Sequence, residues 1–418
     1  MTIDQKIIKN IYNKLPTKTK SRLIQAIKSI VKTKESGGKV VAVVGSGPNI
    51  HEGVTTLIAE LMNKGIIDGV STSSAVINHE MAGTLEKVKR IDGAAFGFDH
   101  RKLPSDGQFE VSILPKTRIE EYQREISLDI GLYNRMLEAG GNIITKVAGN
   151  VAYPTGLRTE RLAREVLRLA RHFGIPFEQM AGYGADPYTM IGAGAEHDIP
   201  VLVTVPQLVG GGEVGLAIGD SLPISERCQR IARLIDSADV IIESALALSQ
   251  EIHDGPFELF TGHGIWADWE GAWTYTLAQK KIIRIDLDSN LEKAWISERK
   301  SSMVTDAVAK GLPKTKSLNI PFRMEMSGFA RIPGSLPVIG DVGEIWPVLA
   351  TRVAELLHVE LDFMCYKQSL PAGQKAREWI VQNVNPVDRE RMNAAARLLS
   401  EGHQGSTPAR WAEVSLKA

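Results

Sequence analysis

The stretch GKVVAVVGSGPNIHEG, residues 38–53, decides the fold. Its Val40-Val41-Ala42-Val43-Val44 is a continuous, largely β-branched apolar run too short for a helix. A strand buried on both faces of a parallel sheet reads this way. The strand runs into Gly45-Ser46-Gly47 and on to Gly53, a loop of small residues where backbone can approach a ligand closely. From Val54 to Lys64, Leu57, Ile58, Leu61 and Met62 recur at helical spacing, and Gly65 supplies the stop. A second apolar run, Ile66-Ile67-Asp68-Gly69-Val70, leads to Ser71-Thr72-Ser73-Ser74-Ala75 and then Asn78-His79-Glu80. The whole is a β-loop-α-β-loop unit. Its two loops fall at the carboxyl ends of adjacent parallel strands, where open α/β sheets place their ligands.

Working outward, further strands are predicted at Asn142–Val147, Ile199–Val205, Val240–Ile242, Lys281–Asp288 and Leu336–Ile339. Helices are predicted from about Arg118 to Ala139, Thr159 to Phe173, Ile224 to Asp236 and Ile345 to Leu357. This alternation predicts an α/β fold, a doubly wound, mostly parallel Rossmann-like sheet over residues 38–360. Residues 84–120 show no clear period and read as a loop-rich excursion that covers the site. Residues 1–37 form a basic helical extension broken at Pro16. Its Ile7, Ile8, Ile11, Leu23, Ile24 and Ile27 are expected to cover a subunit interface or the sheet edge. Residues 361–418 are expected to be a second, C-terminal helical extension.

Forty-nine basic and 49 acidic residues cancel, which argues against a broad nucleic-acid surface. No apolar stretch approaches the roughly 18 residues of a membrane span, and no signal-peptide core is seen. Cys228 and Cys365 have neither metal-ligand spacing nor a disulfide framework. The chain thus reads as a cytoplasmic protein with no membrane partner and no metal.

Gly45-Ser46-Gly47 lacks the full G-x-G-x-x-G spacing, and no G-K-[ST] follows to make a phosphate-binding loop of the ATPase kind. Its weight comes from repetition, because small-residue loops follow several of the predicted strands. The candidate nucleotide contacts are Gly45, Ser46, Gly47, Ser73, Ser74, Gly210, Gly211, Gly212, Ser244 and Asp341. Asp286, at a strand end, adds an acid able to accept ribose hydroxyls. The helix starting near Val54 is expected to present its positive end to a phosphate. The candidate catalytic residues are His79, as the proton-transfer group, with Glu80 or His51 orienting it. The plainer alternative is histidines hydrogen-bonded for structure.

Val43-Val44-Gly45, the His51-x-Gly53 loop, Asp68-Gly69 and the loop ending in His79-Glu80 resemble the nucleotide-binding domain of ornithine cyclodeaminases of the LOR/SDH type, which are related to deoxyhypusine synthase. The resemblance continues in scattered blocks through Asp198-Ile199-Pro200-Val201, Ile285-Asp286-Leu287-Asp288 and Gly340 to Pro347. It implies bound NAD and a homo-oligomer, a dimer or tetramer. It also implies a small-molecule amine or amino-acid substrate that gives up a hydride transiently at a C–N carbon. The alternatives are a non-redox lyase or transferase on the same fold, or a nucleotide-sensing protein without turnover.

Overall fold

A computed structural model describes residues 3–104, 106–149, 151–204, 210–244, 277, 279–286, 306, 309–312 and 335–401. The chain opens with helices α1 (Gln5–Lys14) and α2 (Thr17–Glu35). There follow β1 (Val40–Val44), the single turn α3 (Pro48–His51), α4 (Val54–Asn63), β2 (Gly69–Thr72) and α5 (Ser74–Met81). Next come β3 (Leu85–Asp92), β4 (Gln108–Ser112), α6 (Lys116–Ile126), α7 (Ile130–Glu138) and β5 (Asn142–Val147). The middle of the chain is α8 (Thr155–Phe173), α9 (Phe177–Gly182), α10 (Met190–His197), β6 (Val201–Val203), α11 (Glu213–Ser221) and α12 (Ile224–Asp236). The described part then ends with β7 (Val240–Ser244), β8 (Lys281–Asp286), β9 (Leu336–Ile339), α13 (Val342–Leu356), α14 (Pro371–Asn383) and α15 (Arg389–Ser400).

Six strands form one parallel sheet in the order β6-β2-β1-β7-β8-β9. The opening strand lies in its interior, and all five of its residues are buried, as its unbroken apolar run requires. Chain direction across the sheet reverses between β1 and β7, which is the switch point of a doubly wound fold. The expected Rossmann-like architecture is present.

Residues 84–120 differ from expectation. They carry β3 and β4, and with β5 these make a separate antiparallel sheet in the order β4-β3-β5. Glu86, Lys87, Lys89 and Arg90 interrupt the apolar residues of β3 and conceal its period. Asn142–Val147, expected in the main sheet, is instead an edge strand of this small one, with Ile143 and Ile144 exposed. The long helix expected from Arg118 is two helices. Ser127 turns left-handed at φ +54°, and Asp129 starts α7 anew by accepting from Leu132 N.

Helices α1 and α2 bury Ile8, Ile11, Leu23, Ala26, Ile27 and Ile30. They pack on α13, and α2 also lies on β9, so they cover the far edge of the parallel sheet within the same chain. At the opposite edge, β6 is sealed by an ion pair. Glu178 accepts from Val203 N at 2.8 Å, while Arg227 donates to Val203 O at 3.3 Å and bonds Glu178. The C-terminal residues are not an appendage, for Phe363, Met364, Cys365 and Tyr366 are buried in the main core.

Candidate active site

The loop after β1 is tied down by one side chain. Asn49 donates to the carbonyls of Gly45 and Ser244 and accepts from Ser244 Oγ at 2.6 Å, and Trp346 Nε1 donates to the same hydroxyl at 2.8 Å. This network closes the floor between β1 and β7. Ser244, expected as a cofactor contact, is buried with its hydroxyl already engaged in this network. Gly47 remains exposed, and a Cβ built on it would meet nothing within 4 Å. Ser46, beside it, is half-buried. The N-terminus of α4 is closed, however. A Cβ on Gly53 would lie 3.1 Å from Ile380 and 3.4 Å from Cys365, so side chains of the C-terminal segment cover the helix end expected to face a phosphate.

The loop after β2 carries the histidine. Ser73 caps α5 by accepting from Val76 N, and five residues into α5 His79 places Nδ1 2.8 Å from the carbonyl of Ala148, just past β5. A carbonyl only accepts, so Nδ1 carries the proton and Nε2 keeps the lone pair of the neutral ring. Burial first, then the nearby charges of Lys146 and His51, hold the His79 pKa below its ordinary value against the opposing pull of the Ala148 bond. His51, at the end of α3, is likewise lowered by burial, Arg377 and Lys146. The structure thus brings His51 and His79 into one neighbourhood with two cations. Lys146 is ion-paired with Glu110. Arg377, reaching in from α14, donates to Thr145 O at 2.7 Å and Gln368 Oε1 at 3.0 Å and also feels the charges of Glu52 and Glu378.

Glu80 does not orient His79. It is fully buried, and its two oxygens accept from Met190 N at 2.9 Å and Ile191 N at 3.1 Å, at the start of α10. One position along a helix rotates a side chain by about 100°, so neighbours in sequence face different surroundings. Its partner is an orphan helix terminus.

Of the other expected contacts, Ser74 and Gly211 are packed together, and Asn78 Nδ2 donates to Gly211 O at 2.9 Å. The loops after β2 and before α11 are therefore joined, with Gly210 and Gly212 exposed beside them. Asp341 caps α13 through Gly343 N at 2.9 Å and pairs with Lys367 at 3.2 Å, so it too is engaged structurally. Asp286 ends β8, and its side chain lies outside the described residues, as do Val205 to Val209 and Leu287-Asp288. Arg377 and the Ala148 carbonyl were not legible in the sequence. One is some 300 positions from His79 and the other is backbone. No group of three or more metal-ligating side chains occurs among the described residues, and no described helix is long and apolar enough to cross a membrane.

No protein-family model matches the chain, and no curated protein matches it. Among solved structures it is similar to ArgZ, an arginine dihydrolase from the ornithine-ammonia cycle in cyanobacteria, at 13% identity and a TM-score of 0.36 over 80% of this chain and 31% of that one. It is similar to AgrE in its ternary complex with ornithine and NAD+ at 14% identity and a TM-score of 0.41, over 82% of this chain and 34% of AgrE. A conserved LOR/SDH protein from Methanococcus maripaludis S2 aligns at 11% identity and a TM-score of 0.36, over 82% and 71% of the two chains. The chain thus spans about a third of the length of ArgZ and AgrE. At such scores the likeness carries nothing for the chemistry, which rests on the residues themselves.

Proposed function

We infer that the chain binds NAD at the carboxyl edge of the parallel sheet and acts there on an amino acid, taking a hydride transiently from its C–N carbon. The observation that carries this reading is His79, a half-buried neutral imidazole with Nδ1 fixed and Nε2 basic, beside open glycine loops at the sheet's carboxyl edge. Gly47 offers backbone unobstructed by side chains, Gly210 has only the Ser74 hydroxyl near it at 3.7 Å, and Arg377 adds a cation suited to an anionic ligand. These residues fit a dinucleotide, and Gly45, Ser46, Gly47 and Gly210 would hold it. When bound, the nicotinamide supplies a hydride acceptor.

Hydride loss from a C–N carbon requires an unprotonated amine. His79 accepts that proton at Nε2, and a pKa held below the ordinary value keeps the ring in its accepting form at neutral pH. Arg377, half-buried and hydrogen-bonded to Thr145 O and Gln368 Oε1, is the cation that would meet a substrate carboxylate in competition with the nearby Glu52 and Glu378, which favours an amino acid over a simple amine.

Two measurements test this. Protein denatured after purification should release a nucleotide with the absorbance and mass of NAD or NADH. His79→Ala should lose about 10²–10⁴-fold in turnover while nucleotide affinity changes little. Near-native turnover in His79→Asn, which bonds Ala148 without basicity, would remove His79 from the chemistry.

A further inference from the structure

We propose that Glu86 is a positioning residue for His79, acting through the single peptide group that joins Ala148 to Gly149. The inference rests on the reading of His79 as the base. Glu86 lies on β3, outside the parallel sheet, and only 7% of it is exposed. Its Oε1 accepts from Gly149 N at 2.7 Å. The carbonyl of that same peptide is the Ala148 oxygen that accepts from His79 Nδ1 at 2.8 Å. Carboxylate, amide and imidazole therefore form one unbroken chain of hydrogen bonds.

A carboxylate at the N–H end of an amide draws the amide hydrogen toward itself and shifts electron density onto the carbonyl oxygen. That strengthens the acceptor facing the ring, because bonds in a chain polarise one another. The negative charge thereby reaches His79 without touching it. It favours the Nδ1–H tautomer and steadies the imidazolium that forms when Nε2 takes a proton. The peptide is held in place from both sides. Ala148 N donates to Thr84 O at 2.9 Å, and Gly149 sits at φ +75°, where an added Cβ would lie 2.8 Å from that of Ala82.

The groups around the relay set its charge. Burial is the largest influence on Glu86 and raises its pKa to about 7; the Ser112 hydroxyl on β4, the Gly149 amide, the Thr155 hydroxyl on α8 and Lys146 on β5 pull it down. Tyr122 on α6 and Tyr133 on α7 are the other titratable side chains that feel its charge. His79 is faced by Lys146 and by His51 on α3. Lys146 acts on both groups, and the carboxylate reaches the ring through the Ala148–Gly149 peptide. A buried acid that changes charge near neutrality would thus be felt by His79 over the range where a base is useful.

The test needs neither substrate nor nucleotide. In full-length protein with nitrogen-labelled histidine, the His79 ring signals are assigned by their loss in His79→Asn and followed from about pH 5 to about pH 9. They should move in two steps, one for the ring itself and one near neutrality for Glu86. In Glu86→Gln, which can still accept from Gly149 N, the upper step should vanish while the Nδ1–H tautomer persists. Superimposable His79 titrations in the two proteins would overturn the proposal. Should Glu86→Gln fail to fold, alanine labelled at its carbonyl and glycine labelled at nitrogen pick out the Ala148–Gly149 amide in the unmodified protein. That amide must move in step with the upper transition, and a pH-independent signal would equally overturn the relay. Turnover surviving in His79→Ala would instead sink the catalytic reading and leave the coupling intact.

Discussion

At the scale of single residues, Glu80 and His79 are neighbours with opposite fates. His79 faces the carboxyl edge of the sheet, and Glu80 is sunk beneath α10 with no counter-charge among the described residues. Burial raises its pKa to about 7, opposed by the amides of Met190 and Ile191. The sign of the consequence follows. A group with a raised pKa in the fold contributes fully below its unfolded value of 4.5, and that contribution is lost as pH rises through about 7. The interval is worth about 3 kcal/mol. Melting temperature should therefore fall between about pH 5 and about pH 7, and Glu80→Gln should fall less over the same range. Parallel melting curves for the two proteins would show that Glu80 is charged in the fold throughout. His79 and His51 run the other way. Their lowered values mean that stability is complete above the ordinary histidine pKa and declines as pH drops through the folded one.

At the scale of elements, β6 and the small antiparallel sheet are instructive. The last strand of the parallel sheet is three residues long, and its edge is satisfied by side chains rather than by another strand. Arg227 also donates to Ile218 O at 3.0 Å and Ser221 Oγ at 3.1 Å, both within α11, so one guanidinium joins α9, α11, α12 and β6. Arg227→Ala leaves Glu178 charged and unpaired with no solvent access. A loss of about 3–5 kcal/mol is expected in urea unfolding. A loss below about 1 kcal/mol would mean that water enters to replace the guanidinium. Removal of α1 and α2 should lower the melting temperature, because it uncovers the apolar faces of α13 and β9. An unchanged melt would mean that those faces close without the two helices.

The central strand β1 was legible because it is apolar along its whole length, and β7 because it opens with Val240-Ile241-Ile242; β2, Gly69–Thr72, overlaps only the end of the apolar run from Ile66 to Val70. The antiparallel sheet was not, because charged residues interleave the apolar ones on both faces of β3, whose only exposed residue is Asp92. The candidate site was legible in its loops for a related reason. Loops after parallel strands are marked by glycine and serine, so His51, His79, Gly47 and Gly210 stood out. The partners that decide what each side chain does, Ala148, Arg377 and Met190, come from distant segments or from backbone. Ser244 and Asp341 looked like ligand contacts because a short polar residue after a strand serves equally well to cap a helix or pin a loop.

At the scale of the molecule, residues 361–392 run back across structure formed by the first two hundred. Asp362 N donates to Glu60 at 2.6 Å and Gln368 N to Glu52. Val387 N donates to Met81 O at 2.9 Å, two residues past His79, and Asp388 N to Gly184 O at 2.8 Å. Arg158 in turn donates to Val387 O at 2.9 Å. Shortening the chain after residue 360 strips the cover from α4 and the support from the His79 loop. The truncated protein should lose nucleotide retention and bind a hydrophobic dye. A truncated protein that keeps its nucleotide and binds no dye would show that the segment only decorates the fold.

This strap has a consequence for how the protein comes into being. A ribosome delivers the loops bearing His51 and His79 long before it delivers Phe363, Arg377 and Val387. Until those residues emerge, the start of α4 at Gly53 lacks the cover of Phe363, Cys365 and Ile380, and contacts this distant in sequence form slowly. The nascent chain must therefore carry an uncovered apolar surface beside its unfinished site through most of its synthesis. The site cannot mature piecemeal from its own end of the chain. It is completed only by residues translated some three hundred codons later.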